Sequence, residues 1–189
     1  MTGPHAAPSG APEDMPASLA ARPRDARRGL PIPPVNVHPS PDGTGTHVDF
    51  TTINTTISTR LAAERRCGLC NEPMGYWVAF IGTPRAAELL RFTDPPGHPA
   101  CVTAALTLCP HIALERHRRA RADRPSAGIM PPGAHGAKPD GWTVDITRTY
   151  RSMFVPAHGF TVYLPAPFRT VHTYVYGPDG QLHPHPGTR

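Results

Sequence analysis

The hydrophobic and polar positions of the chain divide it into short elements separated by turn-forming residues. The segment His47–Ile57 is rich in β-branched residues and poor in helix formers, so it predicts a strand. Bulky apolar side chains fill positions 76–81 and Gly82 follows them, which indicates a strand buried on at least one face. Short helical segments are expected over 59–66 and 84–92, on either side of this strand.

The second half of the chain predicts a broken helix followed by antiparallel strands. Residues 100–108 are apolar almost throughout, and Pro99 suits the first helical position because its missing N–H would be unpaired there. Pro110 should kink or end this helix before a second helical piece over 111–122. Alternating apolar and polar positions predict strands over 142–148, 160–164, 171–176 and, after a hairpin turn at 177–180, over 181–183.

The N-terminal residues are rich in proline, which predicts a different structure there. Ten of the 26 prolines lie in the first 41 positions, where no periodic pattern could bury them. We therefore expect residues 1–45 to form a disordered proline-rich arm. The folded part is correspondingly smaller, and a small core often needs a staple such as a bound metal.

The net charge and the expected cellular location exclude few classes of function. The net charge of +5 permits an acidic partner such as a nucleic acid, although a composition that favours Ala, Arg, Pro and Gly raises the arginine content in general. The first 30 residues contain no apolar signal-peptide segment, and no apolar run approaches the about 18 residues of a membrane helix. We therefore expect no membrane association and a cytoplasmic location, where thiols stay reduced and bind metal.

The candidate chemistry lies between residues 67 and 109, which contain all four cysteines. Cys67 and Cys70 have the spacing of a metal-binding turn, in which Gly68 relieves backbone crowding. His98 and Cys101 stand three residues apart at a predicted helix start, so both side chains share one face. Two short chelating pairs of this kind predict a tetrahedral Zn²⁺ site.

Two alternatives to this ligand set stay open. Cys109 lies eight residues beyond Cys101, so it is expected to pack in the core as a small hydrophobic residue, yet Cys109 or His111 could replace His98 as a ligand. The cysteines could also form a metal-free redox pair. The strand–helix pattern that accompanies a thioredoxin-like Cys-x-x-Cys does not surround Cys67.

The metal-binding turn of Cys67 and Cys70, here called the knuckle, is followed by a strand and then by the helix that carries His98 and Cys101. This order resembles a treble-clef zinc finger. The runs CGLCNEPMGYWVAFIG, DPPGHPAC and LCPH also resemble a group of small uncharacterised zinc-finger-like proteins of actinobacteria and their phages, which have no established activity. The resemblance covers roughly residues 60–115 and implies that the metal ligands are Cys67, Cys70, His98 and Cys101.

These observations predict an α+β fold with a small treble-clef-like zinc core. Residues 1–45 form the arm, 46–124 the zinc-binding domain, and 125–141 a linker or long loop. Residues 142–189 form a C-terminal antiparallel β segment packed on the zinc domain.

The predicted ligand set argues for a structural metal site. A catalytic zinc keeps one position open for water, whereas four protein ligands close the shell. The chain also lacks the His-x-Glu then Pro-Cys-x-x-Cys order of zinc deaminases. His-Asn-His nucleases of the treble-clef class need a histidine on the hairpin, and residues 76–81 contain none. Enzymatic activity is therefore the less expected class.

Binding is the more expected function, and it depends on a cluster of arginines. Such a basic segment could lie along the phosphate backbone of DNA or RNA, or it could be an ordinary solvated helix face. The candidate nucleic-acid-binding residues are Arg116, Arg118, Arg119 and Arg121, with Arg124 beside them. A protein-interaction adaptor, in which zinc stiffens a platform for a protein partner, is the alternative. The tyrosines of the C-terminal strands more often pack a sheet than stack on bases.

Overall fold

The computed structural model of the 189-residue chain describes residues 15–115 and 138–186. These residues form short helices, which lie mainly in the first range, and antiparallel strands, five of which follow one another in the second. In chain order the elements are α1 (Ala17–Ala20), β1 (Val37–Pro39), β2 (Thr46–Val48), α2 (Thr55–Ala63), β3 (Val78–Gly82), α3 (Pro84–Glu88), α4 (Pro99–Leu108), α5 (Pro110–Ala113), β4 (Gly141–Thr147), β5 (Tyr150–Val155), β6 (Phe160–Pro165), β7 (Thr170–Tyr176) and β8 (Leu182–Pro184). Within these two ranges, no helix combines the length and apolar character that crossing a membrane requires.

The strands form antiparallel sheets. The largest sheet of the described residues has the strand order β3-β4-β7-β8, while β1 pairs with β2 and β5 pairs with β6. The β5–β6 ribbon is joined to the rest through Phe92 and Tyr163, whose backbone N–H and C=O groups exchange hydrogen bonds of 3.0 and 2.8 Å. The prediction of an α+β fold with antiparallel sheets is confirmed.

Strand β3 divides the core into two clusters of buried residues. Successive side chains of a strand point to opposite faces, so Val78 and Phe80 enter one cluster while Ala79 and Ile81 enter the other. The first cluster contains Leu19, Ala62, Cys67, Cys70, Met74, Val78, Phe80, Phe92, Cys101 and Tyr163. The second contains Ala79, Ile81, Val102, Leu106, Ile112, Trp142 and Val144. The continuous apolar run of β3 is therefore explained by burial on both faces.

The predicted strand over 47–57 is largely wrong. Strand β2 ends at Val48, and α2 begins at Thr55, four residues before the predicted helical segment. Asn54 caps this helix, because its side-chain oxygen accepts a hydrogen bond of 3.2 Å from the Ile57 N–H. The cap and the packing of Leu61 in the core, where it is fully buried, override the β preference of the threonines.

The N-terminal arm differs from the prediction over its described part, residues 15–45. These residues form α1, a 3₁₀ turn at Pro34–Asn36 and β1, with Leu19 and Val35 buried. Pro16 and Pro33 stand directly before α1 and the 3₁₀ turn, and Pro34 is the first residue of that turn, where a missing N–H costs nothing. Asn36 fixes the path further, since its side-chain amide donates to the carbonyls of Asp49 and Thr52 at 3.2 and 2.8 Å. Residues 1–14 lie outside the described ranges.

Two turns predicted from proline and glycine are confirmed. Helix α4 ends at Leu108 and α5 starts at Pro110, since Cys109 between them has an extended backbone. Helix α5 ends at Ala113, where Leu114 has an extended backbone, and residues 116–122 of the predicted second helical piece lie outside the described residues. The β7–β8 hairpin closes through a hydrogen bond of 2.9 Å from the Gly177 N–H to the Gln181 carbonyl.

Candidate metal centre

The first two candidate ligands lie in a tight knuckle that follows α2. The Asn71 N–H donates to the Cys67 carbonyl at 2.9 Å, and the Cys67 N–H donates to the Glu72 carbonyl at the same distance. Asn71 adopts a left-handed conformation with φ of 70°, which asparagine tolerates better than most residues. These bonds close the turn, so the thiols of Cys67 and Cys70 face the same side.

The second pair is positioned by the start of α4. His98 is the residue before the first helical turn, and Cys101 lies within that turn. The preceding loop is fixed to β3, because Gly97 and Ala79 exchange backbone hydrogen bonds of 2.8 and 2.9 Å. The loop therefore brings the His98 imidazole and the Cys101 thiol over the knuckle.

The four ligand atoms converge. The cysteine sulfurs and a ring nitrogen of His98 all lie within 4.8 Å of one another, in an arrangement that can hold a metal ion. His98 Nδ1 is 3.3 Å from Cys70 Sγ and 3.8 Å from Cys101 Sγ. A tetrahedron with metal–sulfur bonds near 2.3 Å has sulfur–sulfur edges of about 3.8 Å, so shifts of at most about 1 Å would bring the four ligand atoms into a complete shell. All four cysteines are free thiols, and those of this group are buried.

The orientation of His98 suits a metal ligand. Its Nε2 lies 3.0 Å from the Pro73 carbonyl oxygen, which can only accept a hydrogen bond, so Nε2 carries the proton. The lone pair of Nδ1 then faces the three sulfurs. Ligand histidines are commonly fixed by this kind of hydrogen bond from the second ring nitrogen.

The three thiols contact polar groups and shift one another's pKa. The His98 N–H donates to Cys67 Sγ at 3.4 Å, and the Ser18 hydroxyl lies 3.8 Å from Cys101 Sγ. Hydrogen bonds from Cys101 and Cys67 lower the pKa of Cys70, whereas the contacts with Cys67 and Cys70, together with burial, raise the pKa of Cys101. Three thiols in one small space therefore compete for negative charge, which a bound dication would stabilise on all of them.

Two glycines permit the close packing of the site. A Cβ on Gly68 would lie 2.6 Å from Cγ of Pro95, and a Cβ on Gly97 would lie 3.2 Å from Cys67 Sγ. The sequence interpretation assigned Gly68 to crowding within the turn. The structure instead places it against the loop that carries the second ligand pair, and the role of Gly97 was missed.

The alternative ligands lie elsewhere. Neither Cys109 nor His111 belongs to the group of four. Cys109 is half-buried against the second core cluster, as expected of a small hydrophobic residue, and the His111 ring packs edge-on against Trp142 at 5.8 Å.

The candidate nucleic-acid-binding residues Arg116, Arg118, Arg119 and Arg121 lie outside the described residues, as does Arg124. The C-terminal tyrosines pack within the fold. Tyr163 is fully buried and its hydroxyl donates to Ser58 Oγ at 2.9 Å, while the Tyr150 hydroxyl donates to the Ala62 carbonyl at 2.7 Å.

A buried carboxylate in the central strand β4 was not anticipated. Asp145 is completely buried, and burial raises its pKa to about 7. One oxygen accepts a hydrogen bond of 2.7 Å from the Thr143 hydroxyl, and the other has no hydrogen-bond partner in the described structure. Alternation along β4 predicted a half-exposed strand, but the sheet is covered on both faces here.

Comparison of the chain with protein-family models, with curated proteins and with solved structures gave no significant match.

Proposed function

We propose that Cys67, Cys70, His98 and Cys101 bind one Zn²⁺ in a closed tetrahedral site that stabilises the fold. The observation that carries this proposal is the convergence of three thiols and one correctly oriented imidazole nitrogen within 4.8 Å. Three sulfur ligands favour zinc over the hard cations Mg²⁺ and Ca²⁺, which prefer oxygen. The knuckle, β3 and α4 follow one another in the order of a treble-clef finger, and we assign the core to that class.

A closed shell supports a structural role. Four protein ligands leave no position for an activated water, and burial of the three cysteines keeps solvent away from the ion. The ion would tie the knuckle to the start of α4, two segments about 30 residues apart, and so close a loop whose ordering the small core must otherwise support.

The metal assignment is tested by zinc content of purified variants. His98→Ala should lose most of the bound zinc, and Cys109→Ala should keep one equivalent per chain, because Cys109 lies outside the group. A chelator should loosen the wild-type fold, seen as a lower unfolding midpoint. Equal zinc content in the two variants would contradict the proposal.

We further propose that this cytoplasmic zinc-stabilised fold is a nucleic-acid-binding module rather than an enzyme. The net charge of +5 and the arginines between 116 and 124 support an anionic partner. Binding to mixed DNA or RNA should weaken steeply with salt, and the triple variant Arg116→Ala, Arg118→Ala, Arg119→Ala should weaken it further. Absent or salt-insensitive binding would leave the protein-interaction adaptor as the better description.

A further inference from the structure

An exposed pair of aromatic side chains stands beside the candidate metal centre. Tyr76 and Trp77 follow the knuckle directly, and 62% and 39% of their surfaces are accessible to solvent. Their rings meet edge to face, with centroids 4.9 Å apart. Neighbouring Met74 and Val78 are buried, so the chain at this point places two large rings outward between two core residues.

Arginines hold this aromatic pair in place. Arg65 Nη2 donates to the carbonyls of Gly75, Tyr76 and Arg148 at 2.9, 3.2 and 2.9 Å. These hydrogen bonds fix the backbone that carries the aromatic pair. Arg148 lies over the Tyr76 ring at 5.6 Å and donates to its hydroxyl at 2.6 Å. Val78 pairs with Thr147 in the β3–β4 ladder, so continuing the register by one residue places Trp77 opposite Arg148. The rings are therefore preorganised on a rigid sheet end.

A basic cleft lies next to Arg65. The cleft is an open, shallow depression between the end of α2 and the start of β5, where Arg65 and Arg151 line it together with the hydroxyl-bearing Thr149 and Ser152. Guanidinium and hydroxyl groups are the usual donors to phosphate oxygens. We call the surface formed by Arg65, Tyr76, Trp77, Arg148 and Arg151 the aromatic–arginine face.

Charge complementarity favours an anionic occupant. The face contains three arginines, and the adjacent Glu64 is paired with Arg60 at 3.4 Å. Partly exposed aromatic rings beside a basic cleft are the combination that binds single strands, in which unstacked bases lie on the open ring faces and phosphates follow the arginines; Arg148 covers one face of Tyr76, which leaves the other face for a base.

We propose that the aromatic–arginine face binds single-stranded nucleic acid, with bases stacked on Tyr76 and Trp77 and the backbone along Arg148 and Arg151. This inference rests on the nucleic-acid-binding role proposed above and gives that role a second, structurally defined surface. The bases must be unstacked from each other to reach the rings, so single strands are preferred over duplexes of the same length.

The test is titration of labelled oligothymidylate and oligouridylate, each about 12 nucleotides long, with the full chain at two or more salt concentrations. Tyr76→Ala and Trp77→Ala should each weaken binding by about 5- to 100-fold, the effect of losing one stacked base. Arg148→Ala should lower the slope of log affinity against log salt by about 0.7, the value for one phosphate contact on a single strand. Leu89→Ala, which truncates an exposed apolar side chain of similar accessibility, and Arg85→Ala, which removes an exposed arginine elsewhere, are the matched controls.

Fluorescence of the unmodified protein gives an independent readout. The chain has two tryptophans, and Trp142 is only 6% exposed, so quenching by an oligonucleotide reports on Trp77. Saturable quenching at the same concentration as the titration supports the inference, and a circular-dichroism spectrum and urea midpoint equal to those of the wild type show that each variant is folded.

The outcomes separate this inference from the proposed function. Wild-type binding that Tyr76→Ala and Trp77→Ala leave intact, but that the triple arginine variant abolishes, would overturn the aromatic–arginine face alone. Equal affinity for duplex and single strand, without quenching, would also overturn it. No binding of any nucleic acid would overturn both.

Discussion

The buried carboxylate of Asp145 predicts a distinctive pH dependence of stability. The side chain is completely buried and has one hydrogen bond, from Thr143 at 2.7 Å, so ionisation inside the fold is unfavourable. Burial raises its pKa to about 7 from the ordinary value of 3.8. Between these two values the folded state retains a proton that the unfolded state has lost.

The sign and size of the effect follow from this difference in protonation. Because the folded-state pKa is raised, the contribution to stability is present at low pH and is lost as pH rises towards 7. The slope is about 1.4 kcal/mol per pH unit while the folded carboxyl stays protonated, and the loss accumulates to roughly 4 kcal/mol above pH 7. Asp145→Asn removes the titration but keeps the shape of the side chain and an oxygen that can accept from Thr143.

The assay is urea unfolding of zinc-saturated wild type and Asp145→Asn at several values between pH 6 and 8.5, where metal ligands are less affected by acid. Fluorescence of buried Trp142 reports unfolding, and the difference in unfolding free energy between the two proteins is plotted against pH. We expect wild type to lose stability relative to the variant by about 1 kcal/mol from pH 6 to 7, with little further change above pH 8. The side-chain amide of Asp145→Asn also lacks a second hydrogen-bond partner, which costs about 1–3 kcal/mol at every pH. This cost shifts the whole curve of the variant, so the two proteins are compared by how their unfolding free energies change with pH and not by the values at one pH. Parallel curves for the two proteins would refute the reasoning.

Two packing predictions concern Gly97 beside the candidate metal centre and the buried Leu61 of α2. Gly97→Ala would place a Cβ 2.9 Å from the nearest apolar side chain and 3.2 Å from Cys67 Sγ, so it should cost about 1–3 kcal/mol and weaken zinc retention against a chelator. Gly75→Ala, whose Cβ meets nothing within 4 Å, is the control, and equal effects of the two would contradict the packing argument. Leu61→Ala should lower the unfolding free energy by about 2–5 kcal/mol in urea titrations because Leu61 is fully buried. Leu89→Ala, with half of the side chain exposed, should change it by less than about 0.5 kcal/mol, and a Leu61 effect of that size would be evidence against the assigned core.

Local signals in the sequence were sufficient to predict the group of four candidate ligands and the elements beside it. The spacing of Cys67 and Cys70, and of His98 and Cys101, depends only on the geometry of one turn and one helix start. Proline at the first position of α4 and the break at Pro110 are likewise local effects. These features could be predicted because neighbouring residues determine them.

Features that depend on distant residues could not be predicted. The Pro73 carbonyl that orients His98 and the Ser18 hydroxyl near Cys101 are 25 and 83 residues away from their partners in sequence. The burial of Leu19 in the first core cluster likewise requires the whole fold, and proline content alone indicated disorder there. Strand β5 was missed because its exposed side chains show little apolar–polar alternation.

The central claim is that three sulfurs and one imidazole nitrogen bind a single zinc ion. Zinc K-edge X-ray absorption of the purified 189-residue chain, combined with metal analysis, tests it most directly. We predict one zinc per chain, with three sulfur ligands near 2.3 Å and one nitrogen ligand near 2.0 Å. Absence of zinc from a folded chain, or a shell of two nitrogens or any bound oxygen, would contradict the account.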